Sequence, residues 1–281
     1  MAATESGTYK LPVSIRSLGA VDRSSDWLGQ GWRDFKKAPG VSLAYGGAVV
    51  VLGLILTVGL VSTGLGSLIL PLAGGLMILA PILVVGLYDV ARCLEAGLPV
   101  SLASCFHAFW RSAGQLAAIG VVLLVCYLVW VQCALFLFAL FFSQQPPPLD
   151  RFLEDVVFSL QGAPLLILGS VVGAVFAAVV FGVTAVSIPL VYDRPVDVLT
   201  AVGVSLLAVR ENFRLMFGWA ALIALLTGVG IATGFVGLAV ALPVLAYATW
   251  HAYRDLIAGG PVYPEDAATL PPSPSAPQPV P

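Results

Sequence analysis

Six stretches of the chain are apolar over about the length of a membrane crossing, at 42–62, 67–88, 115–142, 164–190, 215–233 and 235–254. Roughly 20 apolar residues make a helix long enough for the hydrocarbon layer. A segment inside that layer must also satisfy its own backbone groups, which a single run achieves only as a helix. The fold class is therefore all-α, a polytopic membrane protein with six transmembrane helices. Charge agrees: 10% of residues are charged, against roughly 25% in soluble domains, too few to cover a surface facing water. The connections at 63–66 and 233–235 are short and predict two tight helical hairpins.

Orientation follows from the cations, because loops on the cytoplasmic side carry an excess of Lys and Arg. Lys10, Arg16, Arg23, Arg33, Lys36, Lys37, Arg92, Arg111, Arg194, Arg210, Arg214 and Arg254 fall on one side of the six runs, and only Arg151 falls on the other. Both termini are expected in the cytoplasm, with the chain a multi-pass protein of a bacterial inner membrane. Residues 1–20 read as a disordered tail, 21–257 as one six-helix domain, and 258–281 as a disordered Pro-rich tail. The loop 143–163 contains three prolines and then an amphipathic stretch whose Asp150, Glu154 and Asp155 face water. No apolar stretch of signal-peptide type follows the start of the chain.

Ahead of each odd-numbered run lies a short amphipathic stretch. The first carries Leu28, Trp32 and Phe35 on one face, flanked by Arg33, Lys36 and Lys37, with Ser24 or Ser25 as its cap. The second, 101–112, carries Leu102, Phe106 and Phe109. The third, 196–212, carries Leu199, Val202, Leu206 and Val209, with Asp193 or Asp197 near its start. Such helices lie in the headgroup layer, with cations towards anionic lipid. Each even-numbered run contains a proline and leaves the membrane through a tyrosine near an aspartate: Pro81 with Tyr88 and Asp89, Pro189 with Tyr192 and Asp193, Pro243 with Tyr253 and Asp255. The unit is an interfacial helix plus a hairpin, three times in one orientation, which predicts an axis along the membrane normal. Pro71, Pro81, Pro189 and Pro243 each remove a backbone donor and should kink their helices. Gly169, Gly173 and Ala177, and separately Gly230 with Gly234, are candidate packing positions, since small residues let helices approach in lipid.

No Asp, Glu, Lys, Arg or His falls at the centre of any run, which disfavours a proton- or ion-driven pump. Gln132 is the largest of the polar groups there. His107 and His251 stand in no metal-binding spacing, and Cys93, Cys105, Cys126 and Cys133 form no C-x-x-C pair. No cofactor, metal or nucleic acid is expected, and no hydrolase or phosphate-loop motif is present. One polar group stands out: Tyr88, Asp89, Arg92, Tyr192, Asp193, Arg194, Tyr253, Arg254 and Asp255 all fall at the cytoplasmic level and could ring the axis, with Asp–Arg pairs stapling one repeat to the next.

GWRDFKKAPGVSLAYG, the run LPLAGGLMILAPILVVGLYDVARCLEAG and the closing LPVLAYATWHAYRDL resemble, over about residues 20–257, a bacterial family of predicted six-span integral membrane proteins of unknown function. The plan is more loosely similar to the membrane domain of some glycerophosphodiester phosphodiesterases, whose catalytic domain has no counterpart here. The resemblance implies a six-span inner-membrane protein and supplies no catalytic residues. The expected function is a non-enzymatic accessory or scaffold protein binding membrane lipid, other membrane proteins or a second copy. The alternative is a transporter or lipid-handling protein that uses the axis between the repeats.

Overall fold

A computed structural model describes residues 13–18, 23–65, 69–142, 159–160 and 162–258. Of the expected tails, residues 1–12, 19–20 and 259–281 lie outside the described residues, as do Lys10, the side chain of Pro71 and most of the 143–163 loop, with Asp150, Arg151, Glu154 and Asp155; residues 13–18, expected as part of a disordered tail, are described and carry β1. The described chain is all-α apart from one antiparallel pair of two-residue strands, β1 (Ser14–Ile15) and β2 (Ile257–Ala258). The helices are α1 (Arg23–Lys37), α2 (Pro39–Ser62), α3 (Ile69–Leu83), α4 (Val85–Glu95), α5 (Leu102–Arg111) and α6 (Ala113–Phe142). They continue with α7 (Ala163–Thr184), α8 (Ser187–Asp193), α9 (Val198–Glu211), α10 (Phe213–Ala232) and α11 (Leu238–Leu256).

Local chemistry sets the boundaries. Pro39 opens α2, where its missing N–H has no intrahelical partner to lose. The Ser101 hydroxyl accepts from Ser104 N at 3.1 Å and caps α5; Asp197 accepts from Thr200 N at 2.9 Å and caps α9. Gly97, at φ +68°, closes α4, with Leu98 N donating to Cys93 O and Gly97 N to Leu94 O. Ser24 and Ser25 lie inside α1 rather than at its cap.

Among the described residues five segments are long and apolar enough to cross a membrane: Pro39–Ser62, Leu72–Glu95, Ala113–Phe142, Ala163–Asp193 and Phe213–Ala232. The last helix, α11, is not among them, because its second half carries Trp250, His251, Tyr253, Arg254 and Asp255. It is instead the centre of the packing. The helices α1, α2, α4 and α10 lie against it, and Tyr247, Trp250, Tyr253 and Leu256 are fully buried. Glycines set how close the neighbours come: a Cβ on Gly31 would lie 2.5 Å from the Val244 carbonyl, and one on Gly46 would run into the backbone of Ala239.

This arrangement corrects the first expected hairpin. Short as the link is, α2 packs chiefly on α11 and α3 on α6, where Gly74 and Gly75 sit against Trp130 and Tyr127. The expected packing positions divide likewise. Gly230 lies against Leu238, and Gly234, at φ +65°, turns the chain from α10 into α11. Among the described residues nothing lies within 4 Å of a Cβ on Gly169, Gly173 reaches only the Trp130 indole at 3.9 Å, and Ala177 is exposed. Their ridge faces outward.

The short amphipathic helices are oriented for a membrane, with small residues inward. In α5, Cys105 and Ala108 are buried while Phe106 and Trp110 are exposed; in α9, Ala201, Val204, Ser205 and Ala208 are buried while Leu199 is 86% exposed. In α1 the buried face carries large residues as well, Trp27 and Phe35 beside Gly31 and Asp34, and Trp32, expected to share a face with Phe35, is exposed.

Two of the proline-bearing segments break. The second crossing breaks at Val84, and the Tyr45 hydroxyl donates to the freed Leu83 carbonyl. The fourth breaks at Ala185–Val186, four to three residues before Pro189, and Ser205 bridges the gap: its hydroxyl donates to Gly182 O at 2.7 Å and accepts from Val186 N at 3.1 Å. Pro243 leaves α11 continuous from 238 to 256. Gly46→Leu should therefore lower stability by about 1–3 kcal/mol through overpacking, read as a lower melting temperature in detergent. Gly169→Leu should stay within about 0.5 kcal/mol of the parent.

Candidate functional site at the polar end of the bundle

The breaks turn α4 and α8 inward, so the Tyr–Asp pairs at their ends meet α11. Three helices then close a triangle. Tyr192 of α8 donates to Asp89 of α4. Tyr253 of α11 donates to Asp193 of α8 at 2.6 Å. Trp250 and Arg254 of α11 reach Glu95 of α4 at 3.2 and 3.3 Å. Buried carboxylates need such donors, and Asp89 and Asp193 are 3% and 9% exposed. Arg92 adds a 2.7 Å ion pair to Asp89; Arg194 and Arg254 stand 3.6 and 3.9 Å from Asp193. Arg111 lies over the Tyr192 ring, 4.6 Å from its centroid, and donates to the Tyr192 carbonyl at 3.3 Å. Inside the triangle Trp250 packs on Tyr88 and Tyr192, each with ring centroids 6.3 Å away, and on Tyr253 at 5.4 Å.

The expected polar residues are thus brought to one end, with two corrections. The Asp–Arg pairs of Asp89 with Arg92 and Asp193 with Arg194 are local; between segments Arg254 stands 3.9 Å from Asp193, and the rest of the tie runs through tyrosines and Glu95. Asp255 points away from the others: its Oδ2 accepts from Trp27 Nε1 at 2.8 Å and from Arg23 at 3.2 Å, fastening α1. Glu95, Asp34 and Asn212 were missing from the expected site. Asn212 accepts from Leu18 N at 2.7 Å and donates to Arg16 O at 3.1 Å, holding the N-terminal segment. A polar residue alone at the joint of two helices was the available signal for it.

Asp34 is buried beneath a pocket of about 210 Å³ lined by Gln30, Arg33, Lys37 and His251. His251 Nε2 donates to it at 2.7 Å and Lys37 Nζ at 3.0 Å. Burial raises the pKa of this carboxyl, but the bonds and charges of His251 and Lys37 outweigh burial and hold it below the ordinary 3.8. Burial, with the charge of Asp89 next, pushes the Cys105 thiol up to about 11, which keeps it unreactive. His107 is exposed. Among the described residues no three His, Cys, Asp or Glu side chains are grouped to hold a metal ion. Gln132 lies with Leu128, Cys133, Phe136 and Val172 along an outer groove of about 510 Å³ between α6 and α7.

An all-α chain with several helices of this length and hydropathy is an integral membrane protein. Residues 69–193 match the model of the family described as predicted integral membrane protein (DUF2189), a family of unknown function. The match spans α3 to α8, including Tyr88, Asp89, Arg92, Tyr192 and Asp193. No curated protein and no solved structure matches the chain.

Two outcomes are expected. Tyr253→Phe leaves Asp193 short of a buried donor and should lower stability by about 1–3 kcal/mol, measured by thermal unfolding. The folded-state pKa of Asp34 lies below its unfolded value, so its contribution is present above 3.8 and lost as pH falls through the lower folded value. Asp34→Asn should flatten that acid limb of the melting-temperature profile.

Proposed function

We propose that the chain is a six-crossing, non-enzymatic scaffold of the bacterial inner membrane that binds membrane partners or lipid through its outward faces. One observation carries the reading. The polar end is closed on itself, its acids engaged by the protein's own donors and its centre filled by Trp250, Tyr88 and Tyr192, while the crossings stay open to the outside. Only 11% of the most apolar window of each of Pro39–Ser62, Ala113–Phe142 and Ala163–Asp193 is buried. Exposed apolar surface on that scale needs lipid or another helix against it. A transporter working along the axis needs a path where the aromatic cluster stands, which favours the scaffold.

Six crossings are supported by the ends of the chain. β1 pairs with β2, and Arg16 N donates to Leu256 O at 2.8 Å, so both ends of the domain lie on one side. An even number of crossings is needed, and α11 supplies the sixth. Its 19 residues rise about 28 Å at 1.5 Å each, and the helices packed around it remove the need for an apolar surface. The positive-inside bias puts that side in the cytoplasm. The threefold repeat is supported by element order, a short helix, a crossing and a proline-bearing return three times over, and by the meeting of Tyr88, Tyr192 and Tyr253 around Trp250.

Purification in mild detergent from the native host, with quantitative mass spectrometry of the eluate, tests the scaffold. A membrane protein in fixed stoichiometry is expected, and it should be lost when Gly169 and Gly173 on the outward ridge become Leu. A chain that elutes alone, with or without those changes, refutes the partner-binding half of the reading.

A further inference from the structure

The pocket between α1 and α11 has a chemistry the polar triangle does not share. Gln30, Arg33, Asp34 and Lys37 follow one another at i, i+3, i+4 and i+7 on α1 and so form one stripe. His251 of α11 closes the floor. Asp34 beneath is already met by His251 and Lys37. Arg33 spends only its Nε, on Gly29 O at 3.3 Å; among the described residues its terminal nitrogens have no hydrogen-bond partner. Arg33 and Lys37 against Asp34 leave one net positive charge with His251 neutral, and more with it protonated. The pocket therefore selects an anion, and the free guanidinium edge matches a phosphate in two-pronged fashion.

Position decides which phosphate. Lys37 stands two residues before Pro39, where the first crossing begins. Beside the pocket Trp32 stacks on Phe35, centroids 5.3 Å apart and planes within 5°, and Trp32 is 46% exposed. An exposed indole at the foot of a crossing marks the depth of lipid headgroups. At about 210 Å³ the pocket is smaller than the roughly 300–1,000 Å³ of sites that engulf a whole small molecule. It fits a headgroup whose acyl chains remain outside, along the exposed flank of α2.

We propose that this pocket binds the phosphate of an anionic phospholipid, with Arg33 and Gln30 touching it, Lys37 supplying countercharge and the Asp34–His251 pair positioning the cations. The site rests on the lipid-binding half of the proposed function and stands whether or not a protein partner exists.

The test is native mass spectrometry of the full-length protein titrated with phosphatidylglycerol and, in parallel, phosphatidylethanolamine. Phosphatidylglycerol should be retained in preference. Arg33→Gln should weaken its retention by about tenfold, the scale of one charge-assisted contact. Gln30→Leu, which changes no charge, should weaken it by a smaller factor. Lys36→Gln, an exposed cation outside the pocket, should stay within about twofold. Both Arg33 and Lys36 are exposed, and unchanged melting temperatures will establish that the variants fold. Equal losses for Arg33→Gln and Lys36→Gln would reduce the effect to diffuse surface charge and overturn the site. Full displacement of the lipid by inorganic phosphate would assign the pocket to a soluble anion and overturn the lipid assignment. A chain that retains phosphatidylglycerol but no protein partner refutes the partner-binding half of the proposed function and leaves this site standing.

Discussion

Asp34, Asp89 and Asp193 leave water when this bundle closes, and a carboxylate out of water stays charged only where donors meet it. That requirement explains the composition of α11. From its last two turns His251 reaches Asp34, Trp250 and Arg254 reach Glu95, and Tyr253 and Arg254 reach Asp193. One turn earlier, Tyr247 shares a hydrogen bond of 2.7 Å with Ser42 of α2. A helix that must supply so many donors cannot also be uniformly apolar, and so α11 lacks the hydropathy of the other long helices. Its place at the centre, away from lipid, is what makes the composition tolerable.

The broken crossings follow from the same demand. A straight helix through 69–95 or 163–193 would not turn its last residues under the bundle. Proline removes one backbone donor in each, and a hydroxyl from a neighbouring helix, Tyr45 in one case and Ser205 in the other, takes up a carbonyl that the break releases. The breaks thereby cost less than an unsatisfied backbone group in an apolar setting would. They aim Tyr88–Asp89 and Tyr192–Asp193 at Trp250. Pro243 needs no such device, because α11 already runs through the centre.

Much of this was legible from residue order. Apolar length gave the long helices, and the Tyr–Asp pairs at the ends of two proline-bearing runs marked the polar level. The faces of the short helices were harder. Leu28, Trp32 and Phe35 were expected to share one face of α1 at the acyl boundary; Trp32 is indeed exposed, but Phe35 is buried together with Trp27, Gly31 and Asp34. Glu95 was hidden because it lies a turn and a half beyond Asp89, on a stretch that reads as loop. Asp255 and Arg254 are neighbours in sequence but about 100° apart around a helix, so one serves the triangle and the other Trp27. The short link at 233–235 did mark the pairing of α10 with α11, whereas the short link from α2 to α3 gives no hint that Gly46 packs against Ala239 of α11.

We propose α11 as a shielded sixth crossing that returns the chain to the side where it began, and the β1–β2 pair offers direct access to that reading. Ser14 and Ala258 are opposed in that pair, where Cα atoms stand about 4.5–5.5 Å apart, within the reach of a disulfide. Ser14→Cys with Ala258→Cys, in a chain whose four native cysteines are replaced, should form an intramolecular disulfide in membranes under mild oxidation, seen by mass spectrometry. Two free thiols labelled by an impermeant maleimide from opposite faces of the membrane would contradict the account, since the ends would then be separated by an odd number of crossings.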